Sequence, residues 1–446
     1  DTIVLYASAD VGTISWIDSS GTVFNTDTLY VTSPGTYTAR AITTNCETLK
    51  EIGIFSPLYV AKSGSDTTGT GSFAAPFLTI QTGIDSASEG QKIYVLPGNY
   101  KEGELDFETS SGSGVYKSVY LASDLVRLND SSAIASTKIN ADGAGNLINI
   151  TGSNSSIIEG FTLTGQVTTG SWTNSVIRLS GGANVKLRNL VVSGNTWTND
   201  AHVHALYIVN SSPEFTNVTI EGHGNTNRAR GVVYIEGSNS KVKFTNVIWK
   251  DNHAWDYGVI NITYATVEFE NNLFLDNSSS SNSQGIINLY NSSSAVLINT
   301  TLANNTYLDK SLIYIGGSNT SLTLINSVLG NKGNADSQIY TTGGSNNSVY
   351  ARNSLIPLGT LGSNNPSKIT WDVDATNVFT DPQLDTDGTL KAVSPAIGIG
   401  INQPVTIGST TYTPPLLDLA GVTRPDPVGS NPDAGAYESD KAQGDL

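Results

Sequence analysis

The amino-acid sequence predicts an all-β protein built mainly as a parallel β-solenoid, and three observations lead to that prediction. The chain is rich in Gly, Ser, Thr and Asn, and only 14% of its residues are charged, a composition that suits short strands and turns better than helices. A unit of 26 to 30 residues repeats along the chain. Each unit carries an asparagine and apolar residues at nearly constant distances from one another.

Eight short segments rich in β-forming residues define the repeat. They begin 29, 30, 27, 27, 27, 26 and 26 residues apart, at Leu147, Val176, Leu206, Val233, Ile260, Ile287, Ile313 and Ile339. A unit this short and without a helix fits neither a propeller blade nor a helical repeat, but it fits one coil of a parallel solenoid. Successive coils are therefore expected to stack about 4.8 Å apart, with like residues above like.

A column of asparagines forms the second part of each repeat. Its members are Asn189, Asn217, Asn246, Asn271, Asn299, Asn326 and Asn353. Two residues before them lie Leu187, Phe215, Phe244, Phe269, Leu297, Leu324 and Ala351, which are predicted to face inward. Stacked asparagines can bond to one another and to turn backbone, whereas a lone buried amide would cost roughly 1 to 3 kcal/mol.

The segment Gly222-His223-Gly224 resembles a piece of the active site of the polygalacturonase-type glycoside hydrolases. The repeat offers a different interpretation, because six residues after successive column asparagines come Asn195, His223, Asn252, Asn277 and Asn305. His223 is therefore predicted to be a structural turn residue. The hydrolase function also requires paired carboxylates, and the sequence places no adjacent Asp pair on the preceding coils.

Residues 58–107, which begin "LYVAKSGSDTTGTGSFAAPFLTI", closely resemble the opening of bacterial pectate-lyase-like proteins. The resemblance implies a right-handed parallel β-helix over residues 57–438 and a helix that covers the end of its core. Phe77, Ile80, Ile84 and Ala87 have the helical spacing for that cap. The segments 394–400 and 418–438 resemble the closing segment of surface-anchored bacterial β-helix proteins, with Gly398 in place of the usual acidic residue. Residues 439–446 are predicted to be a linker or tail.

Residues 1–56 resemble the small immunoglobulin-like (Ig-like) modules of secreted Bacteroidetes-type surface proteins, in which Trp16 would be the core aromatic with Tyr37 packed nearby.

Cys46 is the single cysteine, so an internal disulfide framework is excluded. The net charge of −16 disfavours nucleic acid as a partner, and no apolar run is long enough to span a bilayer. An extracellular or cell-surface location within a larger chain is expected.

A cluster of histidines, tryptophans and arginines predicts a binding groove on one flank of the solenoid. Tryptophan and tyrosine rings pack on the apolar faces of sugars, while Arg and Asp pair with hydroxyls or carboxylates. The alternative is that the rings only cover loop backbone. The predicted ligand-binding residues are Trp197, His202, His204, Arg228, Arg230, Trp255, Asp256, Tyr257 and Tyr307.

No cofactor or resident metal is predicted, because His202 and His204 lack an obvious third ligand. Calcium is a secondary hypothesis that belongs to a lyase function, in which Lys250 or Arg230 would abstract a proton. The repeat region offers only scattered carboxylates for such a site, namely Asp200, Glu221, Asp251 and Asp256.

Three functions remain open at this point. The sequence favours a non-catalytic, adhesin-like module that binds a polysaccharide or surface glycan, because no catalytic constellation is recognisable and the ends resemble those of anchored proteins. The alternatives are a polysaccharide lyase or glycoside hydrolase that acts on acidic polysaccharide, and a structural spacer.

Overall fold

The computed structural model describes most of the chain. The described residues are 3–44, 46–109, 113–143, 145–165, 167–168, 174–197, 204–224, 231–282, 285–307, 311–331, 337–342, 344–357, 361–363, 366 and 369–443. They fold as an all-β protein with three short helices, at Ile80–Ser86, Asp124–Leu128 and Ala133–Ser136. The predicted all-β parallel β-helix is confirmed.

Sheet A is a ten-stranded parallel sheet that contains the eight segments that define the repeat, with one further strand at each end. Its strands are Leu105–Asp106, Ile148–Thr151, Ser175–Ser180, His204–Val209, Val233–Glu236, Ile260–Thr263, Ile287–Tyr290, Ser311–Gly316, Ser337–Thr341 and Leu361–Ser363. Neighbouring strands in this sheet are one coil apart in sequence, so the pairing follows from the repeat period.

Sheets B and C form the other two sides of each coil, and three long strands bend from B into C. Sheet B contains Leu58–Val60, Lys92–Val95, Tyr120–Ser123, Ile157–Glu159, the first halves of Lys186–Ser193, Glu214–Glu221 and Lys241–Lys250, then Thr266–Glu270, Ser294–Ile298, Ser321–Ile325, Asn347–Arg352 and Ile369–Val373. Sheet C contains Gly98–Lys101, Thr137–Asn140, Thr162–Thr164, the second halves of the three long strands, Leu273–Leu275, Thr301–Tyr307 and Val328–Asn331. Short pairings extend this side at Val167–Thr168 with Thr196–Trp197, and at His253–Asp256 with Ser278–Asn282.

The core lies between the three sheets and is built from stacked like residues. Phe244 pairs in register with Phe215 on one coil and Phe269 on the next, and all three rings are at most 1% exposed. Trp249 is also fully buried, and its indole N–H donates to Asn272 Oδ1 at 3.0 Å. The predicted inward column is therefore correct.

The asparagine column makes the bend between sheets B and C. Its seven members have φ between 47° and 56°, in the left-handed region that asparagine tolerates better than other side chains with a Cβ. The side chains form a ladder in which Asn217, Asn246 and Asn271 each donate from Nδ2 to the preceding asparagine, at 3.1, 3.0 and 3.2 Å. Asn326 donates likewise to Asn299 at 3.2 Å, so the predicted stacking is confirmed.

The helix Ile80–Ser86 covers the N-terminal end of the core. Phe77, Ile80, Ile84 and Ala87 are all buried, as predicted, although the helix begins at Ile80, after Phe77. The carboxylate of Glu102 accepts the Ile80 N–H at 2.8 Å, and Lys117 donates to the carbonyls of Asp85 and Ala87 at the other end. Backbone groups left unpaired by so short a helix are thereby satisfied.

Residues 3–54 form two small antiparallel sheets. One pairs Ile3–Tyr6 with Thr28–Val31, and the other has the order Val23–Phe24, Thr13–Ile17, Gly35–Ile42, Glu47–Ile54. Trp16 and Tyr37 belong to one small core with Leu5, Leu29 and Val31, as predicted. Kinship with Ig-like modules stays a prediction.

The C-terminal segment lies along the outside of the last coils. It contains the hairpin Val405–Ile407 with Thr410–Tyr412. The asparagine ladder holds part of this segment, because Asn271, Asn299, Asn326 and Asn353 donate to the carbonyls of Leu417, Gly435, Ile401 and Ile399 at 2.7, 3.4, 2.7 and 2.9 Å. A turn at Asp385–Gly388 is closed by the Gly388 N–H, which donates to the Asp385 carbonyl at 3.1 Å.

Within the described residues, no helix is long and apolar enough to cross a membrane.

Candidate functional site

The outer face of sheet A carries an aromatic row that runs across successive coils. Because strand residues alternate between faces, the residues between the buried positions of each strand point outward. The outward row consists of Asn149, Arg178, Tyr207, Tyr234, Asn261, Asn288, Tyr314 and Tyr340, which are register partners from coil to coil. Asn261, Asn288 and Tyr314 are nevertheless covered, at 1%, 0% and 4% exposed. This row is the candidate site. The side chains in its first half contact one another directly.

Four side chains form a continuous stack in that half. The rings of Tyr207 and Tyr234 are 5.6 Å apart and nearly parallel, at 9°. The Arg178 guanidinium lies 5.7 Å from the Tyr207 centroid, a distance at which a cation and a ring attract each other. His204 packs beside both rings, at 5.7 and 5.5 Å.

The electrostatics of the stack keep both phenols protonated. Burial is the main cause that raises the pKa of Tyr234, and the negative charge of the nearby Glu236 raises it further. Burial and Glu236 raise the pKa of Tyr207 in the same direction. The row therefore offers hydroxyl donors beside one carboxylate and one guanidinium.

The turn that leads into the strand Ile260–Thr263 adds an exposed ring to this site. Tyr257 is 38% exposed, and the charge of its ionised form adds the smallest of the contributions that raise the pKa of Tyr234. Asp256 holds the turn in place, since its Oδ1 accepts the Tyr257 N–H at 3.0 Å and its carbonyl accepts the Gly231 N–H at 2.9 Å. Trp255 is half-buried, and its carbonyl accepts the Ser280 hydroxyl.

The structure corrects two of the predicted binding residues. Tyr307 is fully buried in the core, because the sheet C strand continues to that residue and its alternation turns the ring inward. Its hydroxyl donates to the Ser337 carbonyl at 3.4 Å. His204 is only 5% exposed, with Nδ1 3.0 Å from the Gly231 carbonyl, so it supports the stack and does not offer a free edge.

Several predicted residues cannot be placed in the site. His202, Arg228 and Arg230 lie outside the described residues, and so does the side chain of Trp197, whose backbone pairs with Thr168. The described chain resumes at His204 and at Gly231, directly after these segments. The groove prediction therefore rests on Trp255, Asp256 and Tyr257 among the predicted residues.

Sequence reasoning missed Arg178, Tyr207 and Tyr234, which form the centre of the stack. The signal was present in the repeat segments, where the second residue alternates with buried neighbours: Tyr234 lies between Val233 and Ile235, both fully buried. The alternation within each segment thus distinguishes an outward residue from the buried residues that mark the coil.

His223 is a structural residue, as predicted. It is 1% exposed and belongs to an inner ladder with Asn195, Asn252, Asn277 and Asn305, all at most 1% exposed. Its Nε2 lies 2.9 Å from the Val192 carbonyl, and the amide of Asn252 donates to the equivalent Ile220 carbonyl at 2.8 Å. The imidazole therefore takes the place of a ladder amide.

We expect His223→Asn to flatten the pH dependence of stability. Burial lowers the pKa of His223 to about 4, below its ordinary value of about 6.5. The unfolded chain thus binds the additional proton between pH 6.5 and 4, and wild-type protein loses up to about 3 kcal/mol of stability as pH falls through that window. Asparagine does not titrate, so urea midpoints of variant and wild type should agree at pH 7.5 and diverge at pH 4.5, with the variant more stable.

The control for this experiment is His253→Asn, because the His253 ring is half-buried and accessible on the outer side of its strand. It should change the pH dependence less than His223→Asn does. Parallel stability curves for wild type and His223→Asn across this pH range would contradict a buried, neutral imidazole.

The described residues do not form a recognisable lyase active site. Lys250 pairs with Asp251 at 3.7 Å, and Glu221 lies beside Lys250 on the preceding coil. In the described part of the chain, no group of three or more His, Cys, Asp or Glu side chains is arranged to hold a metal ion. Calcium and the role of Arg230 stay untested predictions.

The sequence matches no protein-family model and no curated protein. Solved structures with a similar fold include a pectin methylesterase from carrot, at 12% identity and a TM-score of 0.35, covering 72% of this chain and 89% of that one. The complex of XylC with xylose is 10% identical with a TM-score of 0.32, covering 87% and 99% of the two chains. A family 28 exopolygalacturonase from Yersinia enterocolitica is 11% identical with a TM-score of 0.20, covering 87% and 97%. At these values the likeness assigns neither an activity nor a ligand to this parallel β-helix protein.

Proposed function

We propose that this protein is a secreted or cell-surface β-helix that binds a polysaccharide without cleaving it, as an adhesin-like module of a larger chain. The observation that carries the proposal is the stack of Arg178, Tyr207 and Tyr234 on the outer face of sheet A, with Glu236 and the exposed Tyr257 beside it.

The stack offers edges more than faces to a ligand. Tyr207 and Tyr234 cover one face of each other, so what they present outward are phenol hydroxyls. Hydroxyl, guanidinium and carboxylate groups together can donate to and accept from sugar hydroxyls. A sugar site also needs an open aromatic face, and Tyr257 supplies one, since an exposed ring can pack on the apolar face of a pyranose.

The repeat of the coils favours a polymer as the ligand. Coils lie about 4.8 Å apart, so equivalent outward positions recur along the solenoid axis. An extended chain of sugars lying along that axis would meet Arg178, Tyr207 and Tyr234 in turn. A small ligand would use only one or two of these positions.

We expect Tyr257→Ala to weaken polysaccharide binding by about 1 to 2 kcal/mol through lost ring stacking and apolar contact. Tyr264→Ala is the matched control. Tyr264 lies at the other end of the same strand, is also exposed at 47%, and has the same left-handed backbone, with φ of 56° against 63° at Tyr257. Isothermal titration against soluble neutral and uronate-containing polysaccharides should show a loss for the first variant only.

Tyr234→Phe extends the test to the stack, because it keeps the ring and removes the hydroxyl that the row offers to a ligand. It should weaken binding less than Tyr257→Ala while leaving the stability of the fold intact. Equal affinities for wild type, Tyr257→Ala and Tyr264→Ala would contradict the site, and absence of binding across the panel would favour the spacer function. Release of unsaturated, ultraviolet-absorbing uronides by the wild type would contradict a non-catalytic role.

A further inference from the structure

A second aromatic surface lies on the outer face of sheet B at the first coils, on a different side of the solenoid from the row described above. It consists of Phe73, Tyr59, Tyr94 and Tyr120 together with the cations Lys92 and Arg127, and we refer to it as the N-terminal patch. Tyr59 contacts Phe73 edge to face at 5.2 Å and Tyr94 at 5.7 Å. Phe73, Tyr59 and Tyr94 thus form one continuous surface, and Lys92 connects it to Tyr120 on the next coil.

Two cations are held against these rings. The Lys92 ammonium lies 4.6 Å from the Tyr120 centroid and 5.5 Å from that of Tyr94. The Arg127 guanidinium lies 5.7 Å from the Phe73 centroid and is fixed by two hydrogen bonds to Asp124, at 2.8 and 2.9 Å. Both cations are therefore positioned by contacts that the fold itself supplies.

The charges of this patch leave one cation available to a ligand. Arg127 is paired with Asp124, whereas Lys92 takes part in none of the ion pairs among the described residues. The Glu159 carboxylate accepts from the Tyr120 hydroxyl at 2.7 Å and from Asn189 Nδ2 at 2.8 Å, so both of its oxygens are used within the fold. The Lys92 ammonium is therefore the cation of this patch that is available to pair with an anionic ligand.

Exposure separates this patch from the rest of the same face. Farther along sheet B, the outward residues Val296, Ile298 and Ile325 are covered by the hairpin that contains Ile407. At the first coils Phe73 is 60% exposed and Tyr59, Tyr94 and Tyr120 are partly exposed. Large rings left open beside a positioned cation match what a sugar ring with a carboxylate requires, namely an apolar face and an anion partner.

We propose that the N-terminal patch is a second binding site, and that its ligand is a polysaccharide rich in uronic acids. Phe73 packs on a sugar ring and Lys92 pairs with a uronate carboxylate. The site is independent of the row on sheet A, since it shares no residue with it.

The test uses the full chain and oligogalacturonate of defined length as the probe, titrated at low and high salt. Phe73→Ala and Lys92→Met should each weaken binding at this patch at least about fivefold. Lys92→Met should also reduce the dependence of the affinity on salt, because it removes the charge, whereas Phe73→Ala should preserve that dependence. Lys101→Met is the control, since Lys101 is an exposed lysine already paired with Asp142 at 2.8 Å.

The Tyr257→Ala background separates this site from the one on sheet A. Binding that persists there and is lost on adding Lys92→Met supports the patch even if the sheet A site fails. Affinities unchanged in both Phe73→Ala and Lys92→Met overturn the patch, whatever happens on sheet A. Equal binding of dextran sulfate with the same sensitivity to Lys92→Met would show a general polyanion surface and overturn the assignment to uronates.

Discussion

Arg424→Met should lower the free energy of unfolding by about 3 to 5 kcal/mol, because it leaves a buried carboxylate without its partner. The side chains of Arg424 and Glu438 are 1% and 0% exposed, and Arg424 Nη1 donates to Glu438 Oε2 at 2.7 Å. The same guanidinium also donates to the carbonyls of Asp433 and Gly435, at 3.2 and 2.8 Å. These contacts hold the C-terminal segment together, so urea denaturation should show the loss.

The loss of stability in Arg424→Met should depend on pH. Burial raises the pKa of Glu438 to about 7 despite the opposing charge of Arg424. A carboxyl whose pKa is raised in the folded state stabilises the fold fully below its unfolded pKa, and that contribution is lost as pH rises through the folded value. Removing Arg424 takes away the attraction that favours the carboxylate, so the deficit of the variant should be larger at pH 8 than at pH 5.

A double variant and a surface variant complete the experiment. Arg424→Met with Glu438→Gln should recover part of the loss, since the amide carries no charge and its oxygen can still accept the N–H groups of Asp426 and Asp433. Lys101→Met, which breaks the exposed pair with Asp142, should cost less than about 1 kcal/mol. A single variant Arg424→Met as stable as the wild type at pH 8 would contradict the buried pair.

Phe244→Ala should also cost about 3 to 5 kcal/mol, through a cavity in the centre of the solenoid. The Phe244 ring is fully buried, stacked 4.8 Å from Phe215 and 5.3 Å from Phe269, with the edge of Trp249 at 5.0 Å. The hydrogen bonds between coils fix the backbone around it, so the neighbours cannot close the space. Phe269→Ala should behave alike.

The matched control is Phe73→Ala, the same substitution at a ring that is 60% exposed. It should change stability by about 0.5 kcal/mol or less. Differential scanning calorimetry of the three variants would show the contrast directly. An unchanged melting temperature for Phe244→Ala and Phe269→Ala would mean that the inward column is wrongly assigned.

The candidate site was only partly predictable from the sequence. Tyr257 and Asp256 are in the site because they belong to a short turn beside sheet A, a location that the repeat register fixes. Tyr307 lies in a segment that the sequence predicts to be a loop, like that of Tyr257. In the structure the strand continues to Tyr307, and the ring points into the core. Where a strand ends in a loop segment depends on hydrogen bonds from the neighbouring coil, and spacing alone does not reveal it.

The sequence by itself determined the coil period, the inward column and the asparagine bends. These features repeat, and like residues stack on like, so each coil specifies the same local geometry as the next. Only the tertiary structure decided which outer surfaces remain open. Leu273 and Val328 point outward but are covered by Ala436 and Ala434, more than 100 residues away in the chain, whereas Phe73 stays exposed. Such contacts occur once and join distant segments, so no periodic pattern in the sequence encodes them.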